Sequence, residues 1–131
     1  MRQTLAVHGQ AYTIHSFSPD TPPPASIFAE PMFFIGKTRE ELSVVVPSHL
    51  ELDSLEAETD WRCIEVLGPL GFSMTGILAR ISSVLADAQV SIFAISTFDT
   101  DYVLVKKDKL PHAMAALKKS GYQLIEYPCE D

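Results

Sequence analysis

The chain is short of positive charge, of cysteine and of long apolar runs, and each shortage removes a class of function. Ten Lys and Arg stand against seventeen Asp and Glu in 131 residues, a formal charge of −7. A nucleic-acid partner needs a basic surface to neutralise its phosphates, so this balance argues against one. Two cysteines, Cys63 and Cys129, are too few for a disulfide framework or a four-ligand zinc site. His8, His15, His49 and His112 fall at no metal-ligand spacing, and no metal or cofactor is implied. No apolar run approaches the roughly eighteen residues that cross a bilayer. Met1 to Gln10 has no apolar signal-peptide core. A cytoplasmic protein without a membrane partner is the expectation.

What is present is an ordinary globular composition, 47% apolar and 21% charged, which is enough to build a core. The acidity is uneven. Residues 1–60 carry nine acids and three bases, and residues 61–131 carry eight and seven. Five acids fall within Glu51 to Asp60, a run that reads as a solvated helix face or a linker. The change at Trp61 marks a candidate boundary, with residues 1–60 as one unit and 61–131 as another.

The second half has the clearer pattern. Alternation from Trp61 to Leu67 predicts a strand, and Gly68-Pro69-Leu70-Gly71 ends it. Ser73 is placed to cap a helix whose apolar face is Ile77, Ile81, Val84, Leu85 and Ala88. Ser91 to Phe98 and Asp101 to Lys107 are β-branched and aromatic runs around Asp99-Thr100, which predicts a hairpin. Lys109 to Ser120 returns to helical spacing, with Leu110, Ala113, Met114 and Leu117 on one face and Gly121 at the C-cap. Tyr122 to Tyr127 closes as a strand. The order βαββαβ predicts an α+β, ferredoxin-like fold.

The first half reads as a degraded echo of the same unit. Thr4 to Val7 and Tyr12 to Phe17 flank His8-Gly9-Gln10 and suggest a hairpin. Four prolines between Pro19 and Pro24 exclude a helix interior there, leaving at most a short helix over Ala25 to Glu30. Met32 to Ile35 and Leu42 to Val46 suggest a second hairpin, and Ser48 to Ala57 a last helix.

The run Gly71-Phe72-Ser73-Met74-Thr75-Gly76-Ile77, with Ile92 to Phe98 after it, resembles an ACT domain, a small regulatory module that binds amino acids. Its loop glycine, helix and Ile-Ser-Thr strand are similar to the regulatory ACT pairs of aspartate kinases. Thr97-Phe98-Asp99-Thr100-Asp101-Tyr102-Val103 resembles the subfamily that includes the cytosolic arginine sensor. The likeness covers residues 61–127 and, more weakly, Phe34 to Pro47. It implies two ACT-like units and a non-catalytic protein that binds an amino acid at an interface between such units. Residue by residue it implies ligand contacts at Gly71, Phe72, Ser73, Met74, Thr97, Phe98 and Asp101. The subfamily carries an acid where this chain has Met74, so the likeness implies an amino acid without implying arginine. A homodimer and a separate effector protein would supply the output.

The residues themselves permit that chemistry. A glycine-flanked turn opening a helix offers backbone N–H groups and the positive end of the helix dipole to a carboxylate. Asp101 can accept from an ammonium, and Thr97 can donate and accept. A ligand-free oligomerisation or protein-interaction module remains the alternative. Catalysis has little support. The acylphosphatases that share this strand order need an arginine in the phosphate loop and an asparagine, whereas residues 68–74 hold no arginine and the chain no asparagine. An RNA-recognition surface would need exposed aromatics with basic neighbours, and Asp101 to Lys107 offers only Tyr102.

Overall fold

The computed structural model describes residues 3–67 and 76–128. Its elements run β1 (Thr4–Phe17), a 3-10 turn (Ala25–Ala29), β2 (Phe34–Lys37), β3 (Leu42–Pro47), β4 (Glu56–Val66), α1 (Ile77–Asp87), β5 (Phe93–Ser96), β6 (Asp101–Lys106), a 3-10 turn (Lys107–Lys109), α2 (Leu110–Lys119) and β7 (Gln123–Tyr127). Two compact units divide the chain, Gln10–Trp61 and Met1–Gly9 with Arg62–Asp131. These units differ in their bounds from the 1–60 and 61–131 expected from the sequence: the first nine residues group with Arg62–Asp131, and Trp61 groups with Gln10 onward.

That unit, Met1–Gly9 with Arg62–Asp131, carries the βαββαβ run from β4 to β7 in the strand order β7-β1-β4-β6-β5. The start of β1 stands between the first and last strands of the run. It pairs in parallel with β7, Leu5 beside Leu124 and Val7 beside Glu126. On its other side the Leu67 amide donates to the Thr4 carbonyl at 3.0 Å. Alternate residues Leu5, Val7, Ile64, Val66, Val103 and Val105 form one buried face of these strands. Against it pack Ile77, Ile81 and Leu85 of α1 and Leu110, Ala113 and Leu117 of α2. Both helical faces are the ones that a 3.6-residue repeat selects. Gly121, at φ +96°, stops α2 as a C-terminal glycine does. On the other face of the strands Ala6, Cys63 and Leu104 are also fully buried.

The unit Gln10–Trp61 has the strand order β2-β3-β1-β4. The end of β1 pairs antiparallel with β3, Tyr12 beside Pro47 through Phe17 beside Leu42, and β2 pairs with β3 as expected. Its core is Phe17, Ile27, Leu42, Val44 and Val46, with Phe33, Leu50 and Leu52 packed on it.

Two local expectations fail here. His8-Gly9-Gln10 does not turn. β1 is one strand of fourteen residues, because its two ends each find a separate partner strand and no reversal is needed to satisfy their backbone groups. Ser48 to Ala57 is not helical either. Residues 48–55 are irregular, with Leu50, Leu52 and Ser54 half-buried and Glu51, Asp53 and Leu55 exposed, a period of two that no helix satisfies. The acidic run therefore lies partly on this extended segment and partly on Glu56 to Asp60, an exposed stretch of strand.

Candidate functional site

The candidate ligand residues fall into two groups by their place in the fold. Gly71, Phe72, Ser73 and Met74 lie outside the described residues, as does the expected N-cap role of Ser73. Thr97, Phe98 and Asp101 stand at the tip of the β5–β6 hairpin, where Ser96 and Asp101 are the last paired residues.

The turn is held by its own threonines. The Thr97 amide donates to the Thr100 carbonyl at 2.8 Å. The Thr97 hydroxyl donates to that same carbonyl at 3.1 Å and accepts from the Thr100 amide at 3.3 Å. A Thr side chain closing on backbone two or three residues away is what fixes such a turn. Across the last pair, the Ser96 hydroxyl donates to Asp101 Oδ1 at 2.5 Å. A carboxylate has about four lone-pair sites, so this bond leaves acceptor capacity on Asp101. Phe98 is 84% exposed at the tip.

One long-range bond anchors this tip to the rest of the unit. The Thr100 hydroxyl donates to the carbonyl of Val66, the last residue of β4. The hairpin tip and the end of β4 are therefore joined. Thr100 makes this bond, although only its neighbours Thr97, Phe98 and Asp101 are expected from the sequence to matter.

The chain re-enters the described structure at Gly76, which has φ +79° and precedes α1 with no side-chain cap. Its carbonyl accepts from the Arg80 amide at 2.9 Å. A Cβ added at Gly76 would meet Arg80 Nη1 at 3.1 Å, so the exposed guanidinium folds back over the start of its own helix. A helix N-terminus with a guanidinium beside it favours negative charge from two sources. Arg80 was read only as part of the helix; its position one turn after a glycine was the available signal.

Neighbouring groups are chemically quiet. Cys63 is fully buried and its thiol is pushed up to about 12 by burial and by the charge of Glu65, so it stays protonated at physiological pH. Burial, then the charges of Glu65, Cys63 and Asp99, also raises Tyr102 above the ordinary tyrosine range. Glu65 itself bonds His8 Nε2 at 2.8 Å, and the His8 ring meets Tyr127 edge-on at 5.2 Å. Among the described residues no three His, Cys, Asp or Glu side chains are grouped to hold a metal ion. No helix among them is long and apolar enough to cross a membrane. A groove of about 400 Å³ opens at the other end of α1, lined by Asp87, Gln89, His112 and Lys119 among others, and none of Thr97, Phe98 and Asp101 lines it.

Comparison with known proteins places residues 56–119 in a match to the ACT domain family. The chain is homologous to the cytosolic arginine sensor for mTORC1, subunit 1, of Homo sapiens, with 40% identity over 74 residues, 56% of this chain and 22% of the sensor. It thus spans about a fifth of the length of that relative. A solved protein of Agrobacterium tumefaciens superposes with a TM-score of 0.90 at 28% identity, covering 100% of this chain and 98% of the other. The ligand-free regulatory subunit of aspartate kinase from Thermus thermophilus gives 0.64 at 15% identity, over 92% of this chain and 99% of that one. That last likeness shows the fold, and with it the α+β, ferredoxin-like ACT architecture expected from the sequence holds.

Proposed function

We propose that this chain is a regulatory module that binds a free amino acid without transforming it. The reading starts from the ACT match over residues 56–119, whose relatives include a named arginine sensor and an aspartate kinase regulatory subunit. The observation that carries it is the Thr100–Val66 bond, which brings the hairpin tip to the end of β4 where the glycine-flanked loop begins. The ligand carboxylate is taken by the loop Gly71-Phe72-Ser73-Met74 and the start of α1. Its ammonium goes to Asp101, with Thr97 shaping the turn and Phe98 covering the tip. The site lies at an interface between ACT units of paired copies, in a cytoplasmic homodimer that passes its state to a separate effector protein. Met74 offers no carboxylate to a guanidinium, so a ligand other than arginine suits this loop better.

A thermal-shift screen of the twenty amino acids tests the reading. A ligand at about 100 times its dissociation constant adds ~2.7 kcal/mol, several degrees for a chain of this size. A shift from one or two amino acids supports it, and a flat response at millimolar ligand overturns it in favour of a ligand-free assembly module.

Calorimetry with the ligand so found tests the residue roles. Asp101→Ala should weaken binding tenfold or more, whereas Asp99→Ala should stay within about twofold. Asp101 also accepts from Ser96, so Ser96→Ala is the control. It removes that bond and keeps the carboxylate, and binding should survive. Equal, negligible effects of Asp101→Ala and Asp99→Ala would remove Asp101 from the site.

A further inference from the structure

The face of the unit Gln10–Trp61 that carries its core is interrupted by two polar side chains. Thr13 and His15 pair with Val46 and Val44 and share a strand face with Phe17, and their exposures are only 5% and 6%. Both are met by the irregular segment 48–55. Thr13 Oγ1 lies 2.8 Å from Ser48 Oγ, and His15 Nδ1 lies 2.8 Å from Ser54 Oγ. Backbone bonds tie down the same two ends, from the Ser48 amide to the Ala11 carbonyl and from the Leu55 amide to the Ser16 carbonyl, each at 2.9 Å. Between these ends Leu50 and Leu52 pack on the core. The segment is a strap across the core, fastened at each end by one buried polar side chain.

The two fastenings differ in chemistry. Thr13–Ser48 is a pair of hydroxyls and does not titrate. His15 does, and its Nε2 is buried without a hydrogen-bond partner. A bare ring nitrogen with a lone pair is tolerable in a core, but a bare buried N–H of a charged ring is not. The geometry therefore selects a neutral ring whose Nδ1–H donates to Ser54. Protonation would place an unpaired N–H⁺ at Nε2, and the ring could satisfy it only by leaving the core or by the strap lifting to admit water.

The surrounding charges do not supply the missing acceptor. Ala25–Ala29 and Leu42–Pro47 carry no ionisable side chain. On the strap, Glu51 and Asp53 are exposed, and His49 bonds Glu30 at 2.7 Å. On β4, Glu56 and Glu58 are exposed, and on β2 Lys37 donates to the Pro19 carbonyl. None of these groups hydrogen-bonds His15.

We infer that segment 48–55 is a proton-gated strap, latched by the neutral His15–Ser54 contact and released when His15 takes up a proton. The sign follows from burial, which lowers the His15 pKa below its ordinary value of 6.5. Once the strap lifts, the ring regains that ordinary value. The closed form is therefore fully favoured above about pH 6.5, and its advantage is lost as pH falls toward the lowered pKa.

Amide hydrogen exchange on the full chain, read residue by residue by NMR and corrected for intrinsic rate, tests this. Protection of the Ser48 and Leu55 amides should fall by up to about tenfold per pH unit below 6.5, while core amides of β3 hold. His15→Asn keeps a donor near the Nδ1 position and cannot titrate, so its strap should show no such pH dependence. His49→Gln should leave the response intact. A response that persists in His15→Asn, or that disappears in His49→Gln, overturns the inference. Should His15→Asn not fold, the wild-type ring is read directly. Its imidazole nitrogen shifts should report the Nδ1–H tautomer and a pKa below the ordinary 6.5. An ordinary or raised value, or the other tautomer, overturns the inference equally.

Discussion

Leu85→Ala is expected to cost about 3–5 kcal/mol and to lower the midpoint of thermal unfolding by roughly 10 °C or more. Leu85 is fully buried on α1, inside the cluster that also holds Ile81, Val90, Val103 and Leu117. Truncation removes its transfer free energy and leaves a cavity. Ile64 and Val103 of the same cluster belong to paired strands and are held by their ladders, which limits how far the core can collapse. A domain of this size has about 5–15 kcal/mol in total, so one such change consumes a large share. Ser83, exposed on the same helix, is the matched control. Its change to Ala should fall within about 0.5 kcal/mol. Denaturant unfolding of both variants checks the contrast. A Leu85→Ala cost below 1 kcal/mol would mean that α1 does not carry the core as described.

That prediction rests on a face visible in the sequence, and the fold is legible wherever burial follows a repeat. Ile77, Ile81 and Leu85 recur at the helical spacing and are the buried residues of α1. Leu110, Ala113 and Leu117 do the same on α2. The alternation of Trp61, Cys63 and Ile64 to Val66 marks the inner part of β4, but nothing in it says that the strand begins at Glu56. There the residues are exposed acids with poor strand propensity, and pairing alone keeps them extended. β1 was opaque for a related reason. Gly9 is as compatible with a turn as with a strand, and the choice is made by β3 and β7, far away in sequence. The segment after β3 was misread although its period of two was present, because its acids suggested a solvated helix.

The candidate site divides along the same line. Thr97 and Asp101 are legible because a short hairpin must have a tip, and the family resemblance attaches a role to that tip. Thr100 is not legible, since its partner carbonyl on Val66 is 34 residues away and no local spacing encodes it. It is nevertheless the bond that ties the hairpin tip to the end of β4. A shared ligand sets one condition, that the hairpin tip lie close to the end of β4, and the Thr100–Val66 bond meets it.

Gly76→Ala bears on that condition from the other side, with an expected cost of about 1–2 kcal/mol. Two effects contribute and can be separated. The φ of +79° is a left-handed conformation that an L side chain adopts at a penalty. The new Cβ would also meet Arg80 Nη1 at 3.1 Å, a contact that a flexible guanidinium relieves by moving a few tenths of an ångström. The backbone term should therefore dominate. In an Arg80→Ala background, Gly76→Ala should cost nearly the same, and a double-mutant cycle should give a coupling below about 0.5 kcal/mol. Gly76→Asn should be milder, because Asn tolerates the left-handed region better than other non-glycine residues. Gly76→Val should be the worst, as a β-branched residue there is the most strained. The order Asn, Ala, Val in denaturant unfolding checks the backbone argument. A coupling of 1 kcal/mol or more would instead mean that Arg80 is held in place, and that the charge over the start of α1 is a fixed part of the site.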